Sequence, residues 1–305
     1  MSNNKKVEKD INEKGVSHAT ISWFPGHMAK TNRLISESLK EVDIVIELID
    51  ARIPRSSRNP NIAKLTQTKP SLLILTKSSL ADSSVTDEWI SYYSKNGQNA
   101  IAIDSITGEG FSRLVPTIKK ILSEKTVKYI EKGMSGRTLK AMFLGIPNVG
   151  KSTMINKICG QKKAKVENRP GVTLNKQWIN TNIGLTLMDM PGVLWPKFDS
   201  KIAGENLSIT GAIKDSILDI ETIATILCSR LKNRYINLLC DRYKLSKEEI
   251  DSCEIDYDLL LLIGKKRGFL VSGGEIDSER TASMLLEEFR NNKIGRISLE
   301  TPEDI

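Results

Sequence analysis

Three short apolar runs, 42–49 (VDIVIELI), 71–75 (SLLIL) and 100–103 (AIAI), alternate with longer polar stretches that suit helices. Strands buried on both faces read as continuous apolar runs, so this pattern predicts βα units feeding a mostly parallel, doubly wound sheet. Two further runs extend it, 139–144 (LKAMFL) and 185–188 (LTLM), and 176–181 is placed to pair with the second as a hairpin. A helix is expected over 153–158. Beyond Gly192 the period changes: Ile220, Ile223, Ala224, Leu227, Leu231, Leu238 and Leu239 recur at helical spacing, as do Ala282, Leu285, Leu286 and Phe289. The expected organisation is a polar tail over 1–20, an α/β domain over 21–197 and an all-α C-terminal domain over 198–305. Asp277 is the expected N-cap of the last helix and Gly295 its stop.

The run between the fourth strand and the helix after it is Gly145-Ile146-Pro147-Asn148-Val149-Gly150-Lys151-Ser152, a phosphate-binding loop in its required strand–loop–helix setting. Glycines at both ends let the backbone wrap phosphates, so that the segment from Pro147 through Thr153, with its N–H groups from Asn148 onward, and the positive end of the helix converge on negative charge. Lys151 is placed to neutralise the β and γ phosphates and is the expected catalytic cation. Ser152 offers a hydroxyl to Mg²⁺. A second signal, Asp189-Met190-Pro191-Gly192, closes the next apolar run. Asp189 is the expected Mg²⁺ carboxylate, and the Gly192 amide is expected to meet the γ-phosphate. Between the two, Thr173 in Gly171-Val172-Thr173 is the expected switch residue for metal and phosphate. A nucleoside triphosphate and Mg²⁺ are therefore the expected ligand and cofactor.

Composition changes little in this picture. The chain has 305 residues, 39% apolar and 27% charged, the balance of an ordinary globular protein. Four cysteines without a CxxC pair give little support to a metal or disulfide framework. No apolar stretch approaches a membrane span, and the opening residues lack a signal-peptide core, so no membrane partner and a cytoplasmic location are expected. The net charge of +8 favours a polyanionic partner only weakly. Lys265-Lys266-Arg267, with Lys232, Arg234, Lys244 and Arg296, could form a phosphate-contacting face or a solvated surface.

The order of the elements is more informative. In most guanine-nucleotide switches the base-reading elements follow the phosphate loop. Here Thr76-Lys77-Ser78-Ser79 and Asp104-Ser105-Ile106-Thr107-Gly108, each after an apolar run, precede it. A circular permutation produces that order without changing the sheet, because a fold depends on contacts rather than on where the backbone is cut.

Five ordered motifs carry a resemblance. They are Ile21-Ser22-Trp23-Phe24-Pro25-Gly26-His27-Met28-Ala29-Lys30, Asp50-Ala51-Arg52-Ile53-Pro54-x-Ser56-Ser57-Arg58-Asn59-Pro60, the phosphate loop, Pro170-Gly171-Val172-Thr173 and Asp189-Met190-Pro191-Gly192. Together with Gly268-Phe269-Leu270-x-Ser272-Gly273-Gly274 and Gly295-Arg296-Ile297, they resemble the ribosome biogenesis GTPase A (YlqF) family of circularly permuted P-loop GTPases. The resemblance runs from about residue 21 to the end. It implies a bacterial GTPase of late 50S-subunit assembly, binding the 50S precursor (rRNA and ribosomal protein) through its helical domain. It also implies a catalytic role for His27 and a K⁺ ligand role for Asn148. A monomer is expected.

The chain departs from that family's pattern where Thr76-Lys77-Ser78-Ser79 stands for Asn-Lys-x-Asp. Thr76, Lys77 and Ser79 remain the expected base contacts, with backbone amides of Ser105, Ile106 and Thr107 meeting the carbonyl edge. Loss of the carboxylate is expected to cost about 1–3 kcal/mol of guanine selectivity. Asp82 could reach in or could simply start a helix. Val193 stands where many GTPases carry the water-positioning Gln, so something else must orient water. Two readings follow: an enzyme whose output is conformational change, or an RNA-binding assembly platform with a degenerate nucleotide site and little turnover.

Overall fold

The computed structural model describes residues 25–134, 136–160, 176–195 and 200–304. Six strands form one sheet: β1 Ile44–Asp50, β2 Ser71–Thr76, β3 Asn99–Ile103, β4 Leu139–Gly145, β5 Gln177–Asn180 and β6 Leu185–Asp189. Their spatial order is β3-β2-β1-β4-β6-β5, parallel throughout except for the antiparallel β5–β6 hairpin at one edge. All seven residues of β1 are buried, which is why that strand reads as an apolar run interrupted only by Glu47 before its closing Asp50.

On the sheet face that carries Val45, Glu47 and Ile49, the core forms two side-by-side clusters. Val45, Met142, Leu144 and Met188 pack with Ile35 of the helix Pro25–Ser38 and Ile62 of the helix Pro60–Thr66. Ile49, Leu73 and Leu75 pack with Trp89 and Tyr93 of the helix Ser83–Lys95. Each such aliphatic side chain contributes about 1.5–3 kcal/mol by leaving water. Asp82 caps the Ser83–Lys95 helix by accepting from Ser84 N at 3.0 Å, which settles its role as a helix start.

The contacts divide the chain into two compact units, one of them Ser22–Pro196 with Glu300–Ile305 and the other containing Lys197–Leu299. The last described residues therefore group with the sheet. Ser56 N donates to Glu300 Oε1 at 3.1 Å, Arg55 N donates to Glu300 Oε2 at 2.8 Å, and Trp89 Nε1 donates to the Glu300 carbonyl at 3.1 Å.

Within the helical unit, Ile220–Arg234, Asp256–Arg267 and Ser278–Arg290 pack on one another around Leu227, Leu231, Ile263, Leu285 and Phe289. Gly264 permits the approach, since a Cβ there would lie 2.5 Å from Thr281 Oγ1. Asp277 caps the last helix through Arg280 N, as expected. Gly295 does not stop it. The helix ends at Arg290 and the chain turns at Asn292 in the left-handed region, where an asparagine serves as well as a glycine.

Candidate functional site

The phosphate loop lies between β4 and the helix Lys151–Cys159, at the carboxyl ends of the parallel strands, where open α/β sheets place their ligands. Asn148 (φ 59°) and Gly150 (φ 96°) are left-handed, which curls the loop. Ser152 and Thr153 at the helix start are half-buried. Lys151 is buried and its Nζ pairs with Asp189 Oδ1 at the end of β6, so the two charged side chains expected to handle phosphate and metal meet directly. The Asp189-to-Gly192 turn rests against the phosphate loop: a Cβ on Gly192 would lie 3.1 Å from Pro147 N. Val193 N donates to Gly145 O at 3.1 Å, and Asn59 Nδ2 donates to Val193 O at 3.1 Å.

A Mg²⁺ ion suits this donor set. A hydroxyl and a carboxylate are hard oxygen ligands, and Mg²⁺ takes few protein ligands beside phosphate and water. The Lys151 ammonium beside Asp189 already occupies the place of a cation. Among the described residues no three His, Cys, Asp or Glu side chains cluster.

Of the base-reading residues, Thr76 closes β2 and its single hydroxyl proton lies between two acceptors, Val149 O at 2.6 Å and Ile49 O at 3.0 Å. It thus ties the base-reading element to the phosphate loop. Lys77 takes a left-handed backbone (φ 56°), and its Nζ donates to Asp50 Oδ2 at 3.0 Å. Ser79 Oγ donates to Asp104 Oδ2 at 2.6 Å. Ser105 is half-buried, and its Oγ is buried without a hydrogen-bond partner among the described residues. Ile106 and Thr107 donate their N–H groups, both at 2.8 Å, to Asp104 Oδ1, so these amides serve the loop itself. Thr173 lies outside the described residues. His27 falls on the helix Pro25–Ser38, but its side chain lies outside them.

Two carboxylates matter more here than the motifs revealed. Asp50 is buried and gripped by Arg52 through Nε (2.9 Å) and Nη2 (2.7 Å) as well as by Lys77. Burial alone would raise its pKa, but the charges of Arg52 and Lys77 and the Arg52 hydrogen bonds hold it well below the usual carboxylate range. Asp104 is the second. The signal that could have found both is an acidic residue closing an apolar strand run at its carboxyl end.

In the helical unit, Lys266 pairs with Glu249 and Arg267 with Glu288, so part of the expected basic face is engaged in ion pairs.

A family model described as a 50S ribosome-binding GTPase matches residues 140–254. Ribosome biogenesis GTPase A of Bacillus cereus is 44% identical over 93% of this chain and 95% of that protein. The protein of the same description from Thermotoga maritima is 30% identical over 93% and 96%. Among solved structures, GNP-bound YlqF from T. maritima matches with a TM-score of 0.61 at 25% identity, covering 90% of this chain and 100% of that one. The GDP-bound YlqF structure matches at 0.59 and 26%, covering 88% and 99%. Likeness of this degree along nearly the whole of both chains, on a sheet whose phosphate-binding strand comes fourth in sequence, leaves one assignment: the chain belongs to the ribosome biogenesis GTPase A family, circularly permuted GTP hydrolases of ribosome assembly.

Proposed function

We propose that this GTPase binds the precursor of the large (50S) ribosomal subunit in its GTP state, hydrolyses GTP once docked, and leaves. The observation that carries the nucleotide chemistry is the buried Lys151–Asp189 pair. Each group satisfies the other, and each has a better partner in a nucleotide with Mg²⁺: Lys151 the β and γ phosphates, Asp189 the ion, with Ser152 and Thr173 as further ligands. The bound ion would supply charge neutralisation on the phosphates. Asn148, in its left-handed turn, is the site for an activating K⁺.

Val193 brings no donor or acceptor side chain, and its main chain is tied on both sides. Water orientation therefore falls to another group, for which we assign His27, ordered by the particle. The domain over 198–305 would make the ribosomal contacts, and the enzyme would act as a cytoplasmic monomer.

The test is GTP and ATP hydrolysis with and without 50S particles. The expected result is particle-stimulated GTP turnover abolished by Lys151→Ala. Equal, unstimulated rates for both nucleotides would refute the proposal and favour an assembly platform with a degenerate site.

A further inference from the structure

Ser79 stands where the family's base-reading element has a carboxylate. A lone serine hydroxyl turns freely between donor and acceptor, and so cannot tell the N1–H of guanine from the N1 lone pair of adenine. The hydroxyl of Ser79 has no such freedom, because it donates to Asp104 Oδ2 at 2.6 Å, and Ser79 N lies 3.3 Å from the same oxygen. Asp104 Oδ1 in turn accepts from Ile106 N and Thr107 N. Four donors therefore fill the carboxylate's acceptor sites, leaving Asp104 no capacity for a base. Burial pushes the Asp104 carboxyl up, but the Ser79 hydroxyl and the Thr107, Ile106 and Ser79 amides outweigh it and hold its pKa below the usual value. Asp104 is ionised at neutral pH and can only accept, so the proton of the pair stays on Ser79.

We infer that Asp104 is a positioning residue that fixes the Ser79 hydroxyl as an acceptor toward the base, so that the Ser79–Asp104 pair replaces the missing carboxylate and selects guanine over adenine. The inference rests on the nucleotide reading above, with Ser79 as the base contact that its place in the sequence motif implies. An oxygen that only accepts suits the N1–H and N2–H donors of guanine and leaves adenine N1 unsatisfied. Hydrogen bonding to an ionised group also makes the serine oxygen a stronger acceptor.

The experiment is competition binding of GTP and ATP with Mg²⁺ to the full chain and three variants. Asp104→Asn keeps an oxygen for the Ile106 and Thr107 amides but turns an NH₂ toward Ser79, releasing its hydroxyl to donate. The GTP-over-ATP ratio is expected to fall about tenfold, mostly through weaker GTP binding. Ser79→Ala, which leaves the Asp104 loop bonds in place, should lower the ratio similarly. Adding Ser79→Asp to Asp104→Asn should restore it. Equal weakening of both nucleotides in Asp104→Asn would show a loop-holding role only and overturn the inference, as would an unchanged ratio in Ser79→Ala. Absence of GTP binding by the unaltered protein would sink the nucleotide reading itself, a result distinguishable from either.

Discussion

Glu47 lies mid-strand on β1, in register with Leu73 of β2 and Leu144 of β4 and only 5% exposed. Its Oε2 is 3.5 Å from Arg58 Nε, and its Oε1 has no hydrogen-bond partner among the described residues. Burial pushes its carboxyl from 4.5 up to about 7, against the opposing pull of Arg58 and the Asn59 amide. Below pH 4.5 both the folded and the unfolded chain hold this proton and the residue is neutral for stability. Between 4.5 and 7 the unfolded chain releases it first, so stability falls with rising pH, and above 7 the loss is complete. At about 1.4 kcal/mol per pH unit, that gap caps the loss at about 3 kcal/mol. Glu47→Gln keeps the volume and removes the ionisation. Arg58 loses an ion pair in the variant, but at 25% exposure it keeps contact with water, so the expected gain at pH 8 is about 1–3 kcal/mol. Urea unfolding of both proteins at pH 4.5, 6 and 8 measures it, with the difference expected to vanish at the acid end. Curves that stay a constant distance apart across that range would refute the reasoning.

Two further outcomes are expected. Thr76→Val keeps the side-chain shape but removes the donor to Val149 O, so GTP affinity should drop about tenfold in calorimetry, and unchanged affinity would show the tether to be idle. Glu288→Gln removes the carboxylate shared by Arg242, Arg267 and Tyr243 and should cost the helical unit about 2–4 kcal/mol in thermal unfolding, whereas an unchanged Tm would show that the cluster contributes nothing.

Much of this molecule was legible in its sequence because its determinants are local. The runs at 42–49, 71–75 and 185–188 are predominantly apolar because both faces of those strands are largely covered, and the phosphate loop is a contiguous string between a strand and a helix. Asp82 and Asp277 act on amides two or three residues away, so their capping roles could be read from neighbours. What escaped was long-range. Glu300 reaches Ser56 across most of the chain, and Ser79 finds Asp104 only because β2 and β3 pair in register and bring their carboxyl ends together. No period marks such partners. The end of the last helix was misplaced for a related reason: an asparagine supplied the left-handed turn that a glycine was expected to make.

The peptide of Val193 is pinned from both directions, its N–H by the first residue of the phosphate loop and its carbonyl by the Asn59 amide. It behaves as a fixed post. Those two bonds fasten the end of the Asp189-to-Gly192 turn to the phosphate loop on one side and to the start of the Pro60–Thr66 helix on the other. A single asparagine, far away in sequence from either nucleotide motif, thereby holds the exit of the second motif in place.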